Sequence, residues 1–176
     1  MLIPLTIVTA LVLLSLIFSA ISLFTYGWAT IYSFGPLDPF DYYDNEILVG
    51  LIPFNSEAVG WLVATSIFMY LNFTCVIFCL LLCILGALMF MFQGNARYQK
   101  FVFVCLCGSN FLTALFGAIA FVIFVASYDS SLSDAFQADV SIGYSPFLDL
   151  IGFCLAALAT GVSAFFAIAL LNSNEN

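Results

Sequence analysis

The chain has 176 residues, of which 65% are hydrophobic and only 7% are charged, and its formal net charge is −8 at pH 7. A soluble domain of this length needs far more charged side chains on its surface, so the composition excludes an ordinary soluble protein. A membrane-spanning helix requires about 20 predominantly apolar residues. Four stretches meet this requirement, so we predict an all-α membrane protein with four transmembrane helices.

The predicted elements alternate between apolar spans and polar connections, and none of the connections is long enough to form a core of its own. All of them belong to a single domain, residues 1–176. In chain order they are span 1 (about 2–28), outer loop 1 (about 29–59), span 2 (about 60–92), an inner loop (93–100), span 3 (about 101–126), outer loop 2 (about 127–145), span 4 (about 146–171) and a tail (172–176).

Outer loop 1 is rich in proline and aromatic residues. Pro36, Pro39 and Pro53 oppose a helix through much of the loop. The stretch EILV at 46–49 is typical of a strand, and the many aromatic side chains argue against disorder. We therefore expect a small extracellular β-hairpin or sheet from loop 1, lying on the outer leaflet.

Aromatic and acidic side chains around this loop suggest a contact surface. Tryptophan and tyrosine suit the interfacial belt of a membrane protein. The acidic groups either attract a cation or a basic partner, or simply remain solvated. The candidate outer-loop interface consists of Trp28, Asp38, Asp41, Tyr42, Tyr43, Asp44 and Trp61.

Both cationic side chains of the protein fall in one short segment, GNARYQK at 94–100. Arg97 and Lys100 are the only Lys or Arg residues, and the chain has no His. Loops that carry Lys and Arg remain cytoplasmic, so these two residues place the inner loop in the cytoplasm. Four spans then leave both termini cytoplasmic and the other two loops outside. We expect a multi-pass protein of the plasma membrane.

Span 4 begins with residues that favour a helix start. Ser145 followed by Pro146 predicts an N-cap and a first helical position. Asp149 then falls in the first turn, near the positive end of the helix dipole. Its carboxylate therefore either stabilises the helix start or is a functional acid at the membrane edge.

Small and polar residues predict how the spans pack. Small residues recur every four positions in span 4, and span 1 offers Ser15, Ser19 and Ser22. Such rows let helices approach closely and predict a tight left-handed bundle, with a homodimer seam as the alternative. The predicted packing or partner-interface residues are Asn110, Ala114, Gly117 and Ala118 in span 3 and Gly152, Ala156, Ala157, Thr160, Gly161 and Ala164 in span 4.

Two asparagines, Asn72 and Asn110, lie well inside predicted spans. An amide in hydrocarbon is costly without a partner, so we expect each to form an interhelical hydrogen bond.

The sequence offers no catalytic constellation, since it lacks His, acid pairs within the spans and a Gly-rich phosphate loop. We therefore expect no enzyme activity, no cofactor and no bound metal. Cys75, Cys79 and Cys83 share one helix face and are interpreted as packing residues.

The layout resembles the claudin, peripheral myelin protein and epithelial membrane protein superfamily, which includes the gamma auxiliary subunits of calcium channels and glutamate receptors. The resemblance also rests on Glu57 and Trp61 at the start of span 2, NARY at 95–98 and SIGY at 141–144. Claudins carry a Trp, a Gly-Leu-Trp motif and two disulfide-linked cysteines in loop 1. Here Trp28 stands alone, and outer loop 1 contains no cysteine.

The resemblance implies a non-enzymatic protein that works through contacts with other membrane proteins. The absent cysteine pair and the short tail favour an auxiliary or regulatory subunit of a larger channel, receptor or transporter. A junction or adhesion protein that self-assembles through its outer loops is the alternative, and a small structural subunit of a large membrane complex is a third. The expected partners are membrane lipid and an integral membrane protein or a second copy, not nucleic acid or a small-molecule substrate.

Overall fold

In a computed structural model the chain forms four long helices joined by short connections and a small sheet. The structure describes residues 2–33, 45–51, 60–92, 96–136 and 139–172. The elements of these ranges, in chain order, are α1 (Leu2–Phe24), β1 (Ala29–Ser33), β2 (Asn45–Val49), α2 (Gly60–Phe92), α3 (Ala96–Phe136), β3 (Asp139–Ile142) and α4 (Ser145–Asn172).

Each helix contains a segment that is long and apolar enough to cross a membrane. These segments are Ile3–Phe24, Gly60–Phe92, Gln99–Tyr128 and Ser145–Ala169. Large apolar side chains such as Phe165 point away from the bundle, as expected where lipid rather than water surrounds a protein. The predicted all-α architecture with four spans is confirmed.

The interior of the bundle contains two clusters of apolar residues. One cluster lies at the end of the bundle that carries the sheet, which we call the sheet end, and it includes Leu23, Trp28, Met69 and Phe124. The other lies toward the opposite end and includes Val12, Val76, Cys79, Cys83 and Leu106. Between these clusters the helices meet through polar side chains.

The sheet has three antiparallel strands in the order β2-β1-β3. Ala29 at the start of β1 pairs with Val49 of β2 on one side and with Ile142 of β3 on the other. The predicted strand at 46–49 is confirmed by β2. However, the sheet does not come from loop 1 alone, because β3 belongs to the predicted outer loop 2. Its DVSI sequence alternates polar and apolar residues over only four positions, too few to identify a strand.

The third helix is longer than the predicted span 3 at 101–126. It begins at Ala96, so Arg97 and Lys100 lie in its first turns rather than in a loop, and it continues to Phe136. No glycine or proline occurs between residues 118 and 142. The fall in hydropathy marks where a membrane span ends, but a helix stops only where its backbone is interrupted or capped. The predicted outer loop 2 therefore begins as helix.

Candidate functional site

Hydroxyl groups on α1 bind α4 in the half of the bundle nearer the sheet. Ser15 Oγ donates to the carbonyl of Gly152 at 2.9 Å, and Ser22 Oγ donates to the carbonyl of Ser145 at 2.9 Å. Successive steps of four and three residues keep the α1 serines on one helix face. We call these contacts the polar seam, which comprises Ser15, Ser19 and Ser22 of α1, Thr25 just after the end of α1, and Ser145, Asp149 and Gly152 of α4.

Ser145 begins α4, as the sequence predicts, but its hydroxyl does not act as a simple cap. The Ser145 and Thr25 hydroxyl oxygens share a hydrogen bond of 2.6 Å, and the Ser145 main-chain N–H donates to the carbonyl of Gly27 at 2.9 Å. The start of α4 is therefore fixed by the chain that leaves α1. Residues more than 100 positions apart in sequence thus define one end of the seam.

Asn72 connects the polar seam to α2. Its Nδ2 lies 3.4 Å from Ser19 Oγ and 3.4 Å from Asp149 Oδ1. Asn72, Ser19 and Asp149 are all 0% exposed. Asp149 Oδ2 and Asn72 Oδ1 have no hydrogen-bond partner within the described part of the chain. A single amide thus joins three helices, and two buried oxygen atoms beside it are left without a donor.

Asp149 does not serve as a first-turn acid of α4. The first turn of the helix contains no acidic residue, and the Asp149 carboxylate points into the bundle toward Asn72. Asp149 lies three residues before Gly152 and seven before Ala156, so the three share one helix face. Sequence reasoning considered only the distance of Asp149 from the helix start. Extending the face of Gly152 and Ala156 by one turn toward the start of α4 would have shown that Asp149 lies on the buried side of the helix.

Two glycines allow the helices to approach closely around Asn72. A Cβ at Gly152 would lie 3.0 Å from Ser19 Oγ, and a Cβ at Gly117 would lie 2.8 Å from Cβ of Phe153 and 3.4 Å from Nδ2 of Asn72. Such distances leave no room for a side chain without displacement of a neighbour. Both glycines were predicted as packing residues, and the structure places both beside the Asn72 cluster.

The predicted small-residue rows divide between the bundle interior and the lipid-facing surface. A row with a period of four residues drifts around a helix with 3.6 residues per turn. On α4 the buried face therefore continues through Ala159 and Ser163, whereas Ala157 and Gly161 are exposed, and a Cβ at Gly161 would meet nothing within 4 Å. The remaining predicted residues are buried (Asn110 and Ala156) or half-buried (Ala114, Ala118, Thr160 and Ala164).

Asn110 does not form the interhelical hydrogen bond that the sequence predicts. It is 0% exposed, but its Nδ2 donates to the carbonyl of Leu106, one turn earlier in the same helix, at 2.8 Å. Its Oδ1 has no partner among the described residues. The two buried asparagines therefore differ: Asn72 forms hydrogen bonds to other helices, whereas Asn110 donates its hydrogen bond within its own helix.

Trp28 lies inside the protein rather than in an outer interface. Its side chain is 0% exposed, its indole Nε1 donates to the carbonyl of Ser22 at 2.7 Å, and its ring packs edge-on against Phe124 with centroids 5.0 Å apart. The predicted belt or interface role of Trp28 is therefore wrong. Because α1 ends at Phe24, the chain turns back and places Trp28 over the bundle. Trp61 is half-buried and packs against the same Phe124 ring.

The structure does not describe the rest of the predicted outer-loop interface. Asp38, Asp41, Tyr42, Tyr43 and Asp44 fall outside the described residues. No group of three or more His, Cys, Asp or Glu side chains in the described ranges could hold a metal ion. The six cysteines are free thiols. Within these ranges, the features that distinguish the molecule are the polar seam and the sheet attached to it.

These features define a multi-pass membrane protein with a four-helix bundle and a small antiparallel sheet at one end. The family model described as tight junction protein, claudin-like, matches residues 1–172. The chain therefore belongs to the claudin-like family, and the resemblance indicated by its sequence is confirmed. Comparison with curated proteins gives no match. The family is generally non-enzymatic.

Proposed function

We propose that this protein is a non-enzymatic claudin-like component of cell junctions, which assembles through its outer loops. The observation that carries the proposal is the rigid attachment of the sheet to the helices. The N–H of Trp28 donates to the carbonyl of Val49, and the N–H of Gly143 donates to the carbonyl of Trp28, each at 3.0 Å. These two hydrogen bonds join the end of β2 and the connection between β3 and α4 to Trp28, which follows α1, so the sheet is held at the helix ends.

The proposed orientation places the sheet outside the cell. Arg97 and Lys100 lie in the first turns of α3, at the end of the bundle opposite the sheet, and positive residues favour the cytoplasmic side. The strands β1 and β2, which flank residues 34–44, then lie on the outer side of the membrane. The sequence of residues 34–44 supplies the aromatic and acidic groups that we propose for contact.

A mixed-cell assay tests the junction function. The fluorescent full-length protein is expressed in cells without junctions of their own, and its density is compared between contacts of two expressing cells and contacts with a non-expressing cell. We expect enrichment only where both cells express it. Replacing Tyr42 and Tyr43 together by Ala should remove the enrichment while surface delivery continues. Equal density at both kinds of contact, with the protein at the surface, contradicts the proposal.

An auxiliary-subunit function is the second candidate, and a specific surface favours it. Ala157 and Gly161 form a small exposed step on α4, flanked by the large exposed side chains Leu158 and Phe165. Small residues on a lipid-facing helix allow the close approach of a partner helix. This function predicts co-purification with a larger membrane protein at fixed stoichiometry in mild detergent.

Two double variants separate the candidates. Replacing Ala157 and Gly161 together by Leu should release an intramembrane partner but leave contact enrichment unchanged. The double tyrosine variant should have the opposite effects. Recovery of the chain with only itself, in dimers or polymers, excludes the auxiliary function and agrees with a junction assembly.

A further inference from the structure

We propose that Asp149, Asn72 and Ser19 form a buried binding site for one small monovalent cation of the sodium class. The first argument is the isolation of the acid. The Asp149 carboxylate is 0% exposed and accepts one hydrogen bond, of 3.4 Å, from Asn72. The two cationic residues lie in the first turns of α3, at the far end of the bundle. A carboxylate in this position requires compensation, because removing it from water is costly.

The second argument is the set of oxygen atoms around the acid. Asp149 Oδ2 and Asn72 Oδ1 are buried without a hydrogen-bond partner in the described residues, and Ser19 Oγ lies 3.4 Å from the Asn72 amide. Rotating the Asn72 side-chain amide by about 180° exchanges the positions of Nδ2 and Oδ1, so that an amide oxygen faces Asp149. Carboxylate, amide and hydroxyl oxygens are hard ligands, which suit alkali and alkaline-earth ions rather than transition metals.

The charge of the cluster selects a monovalent ion. Asp149 supplies one negative charge, and the neighbouring amide and hydroxyl supply none. A monovalent cation makes the buried cluster neutral, whereas a divalent ion leaves an uncompensated positive charge in a medium of low dielectric constant. The absence of His and Cys ligands from the cluster also disfavours zinc or copper.

Hydroxyl groups of the polar seam continue from the cluster toward the sheet end. Between the cluster and the sheet lie the hydroxyl groups of Ser22, Thr25 and Ser145, which bond to one another or to main-chain carbonyls. On the other side of the cluster, Ser15 binds the carbonyl of Gly152.

Sodium binding to the purified full-length protein tests the site. Radioactive sodium should bind saturably at one ion per chain, and sodium chloride should raise the apparent Tm more than choline chloride of equal ionic strength. At a sodium concentration about ten times the dissociation constant, we expect a rise of about 3–6 °C. Asp149→Asn should abolish both effects, because the isosteric amide removes the charge and keeps the shape.

Two further variants make the test independent of how Asp149→Asn folds. Ser19→Ala keeps the carboxylate and should weaken sodium binding several-fold. Asn110→Ala removes an equally buried amide outside the cluster and should leave sodium binding unchanged. If sodium and choline stabilise equally, or if the folded wild-type protein binds no sodium saturably, the proposal is wrong and the Asp149 carboxyl group is held as a neutral acid.

Discussion

Trp28 connects three elements that are distant in the sequence. Its indole hydrogen bond to Ser22 fixes the end of α1, its main chain bonds to Val49 of β2 and to Gly143 just after β3, and its ring packs on Phe124 of α3. A buried N–H donor of this kind stabilises a structure mainly because its loss leaves a buried carbonyl without a partner. A single side chain thus determines how the sheet lies on the bundle.

The first prediction concerns this indole. Trp28→Phe keeps an aromatic ring but removes the donor to Ser22, and should lower the free energy of unfolding by about 1–3 kcal/mol. Trp28→Ala also leaves a cavity and should cost about 3–5 kcal/mol. Unfolding of the detergent-solubilised protein measures the loss of free energy in both variants. Trp61→Phe is the matched control, because Trp61 Nε1 has no hydrogen-bond partner among the described residues. Equal losses for both Trp→Phe variants contradict the assigned role of Trp28.

At the scale of the elements, close contact between α1 and α4 depends on the absence of a side chain at Gly152. The carbonyl of the same residue accepts the hydrogen bond from Ser15. A methyl group at this position must displace Ser19, whose main-chain nitrogen would lie 3.5 Å from it. The helix pair therefore has little freedom to separate without losing its hydroxyl contacts.

The second prediction compares two glycines of α4. Gly152→Ala should destabilise the bundle by about 1–3 kcal/mol, because it overpacks a tight contact. Gly161→Ala meets nothing within 4 Å and should be neutral or stabilising by up to about 1 kcal/mol, since alanine favours a helix. Thermal unfolding in the same detergent distinguishes them. Similar behaviour of the two variants would show that α1 and α4 are not tightly packed at Gly152.

The sequence predicted the elements better than their contacts. Hydropathy is a local property, so the four spans and the strand at 46–49 could be recognised directly. The short β3 strand could not, because its pairing with β1 depends on residues more than 100 positions away. The burial of Trp28 and Asp149 likewise depends on tertiary placement. A tryptophan or an acid near a span end has the same local sequence whether it faces solvent or the bundle interior.

For the whole molecule, we expect orientation in the membrane to depend on a small number of charges. Arg97 and Lys100 are the only cationic side chains, whereas acidic residues contribute little to orientation. Reversing the charge of these two side chains should therefore be enough to disturb the topology of the entire chain.

The third prediction tests this dependence. A glycosylation acceptor inserted after Phe40 should be modified in the wild-type protein, and one appended after Asn176 should not. Replacing Arg97 and Lys100 together by Glu should produce a mixture of orientations, with both acceptors partly modified. Gel shifts after deglycosylation measure the fractions. Unchanged modification in the double variant would show that other features set the orientation.

The hydrogen bonds from Ser145 to Gly27 and from Gly143 to Trp28 also have a consequence for biogenesis. The first span is synthesised early, but the groups that fix its end belong to residues more than 100 positions further along the chain. Until α4 enters the membrane, the carbonyls of Gly27 and Trp28 lack these donors, and β1 lacks its partner on one side. Chains interrupted before Asp139 lack β3 and should therefore expose an incomplete sheet, so synthesis of β3 and insertion of α4 are the steps at which quality control can distinguish paired molecules from unpaired ones.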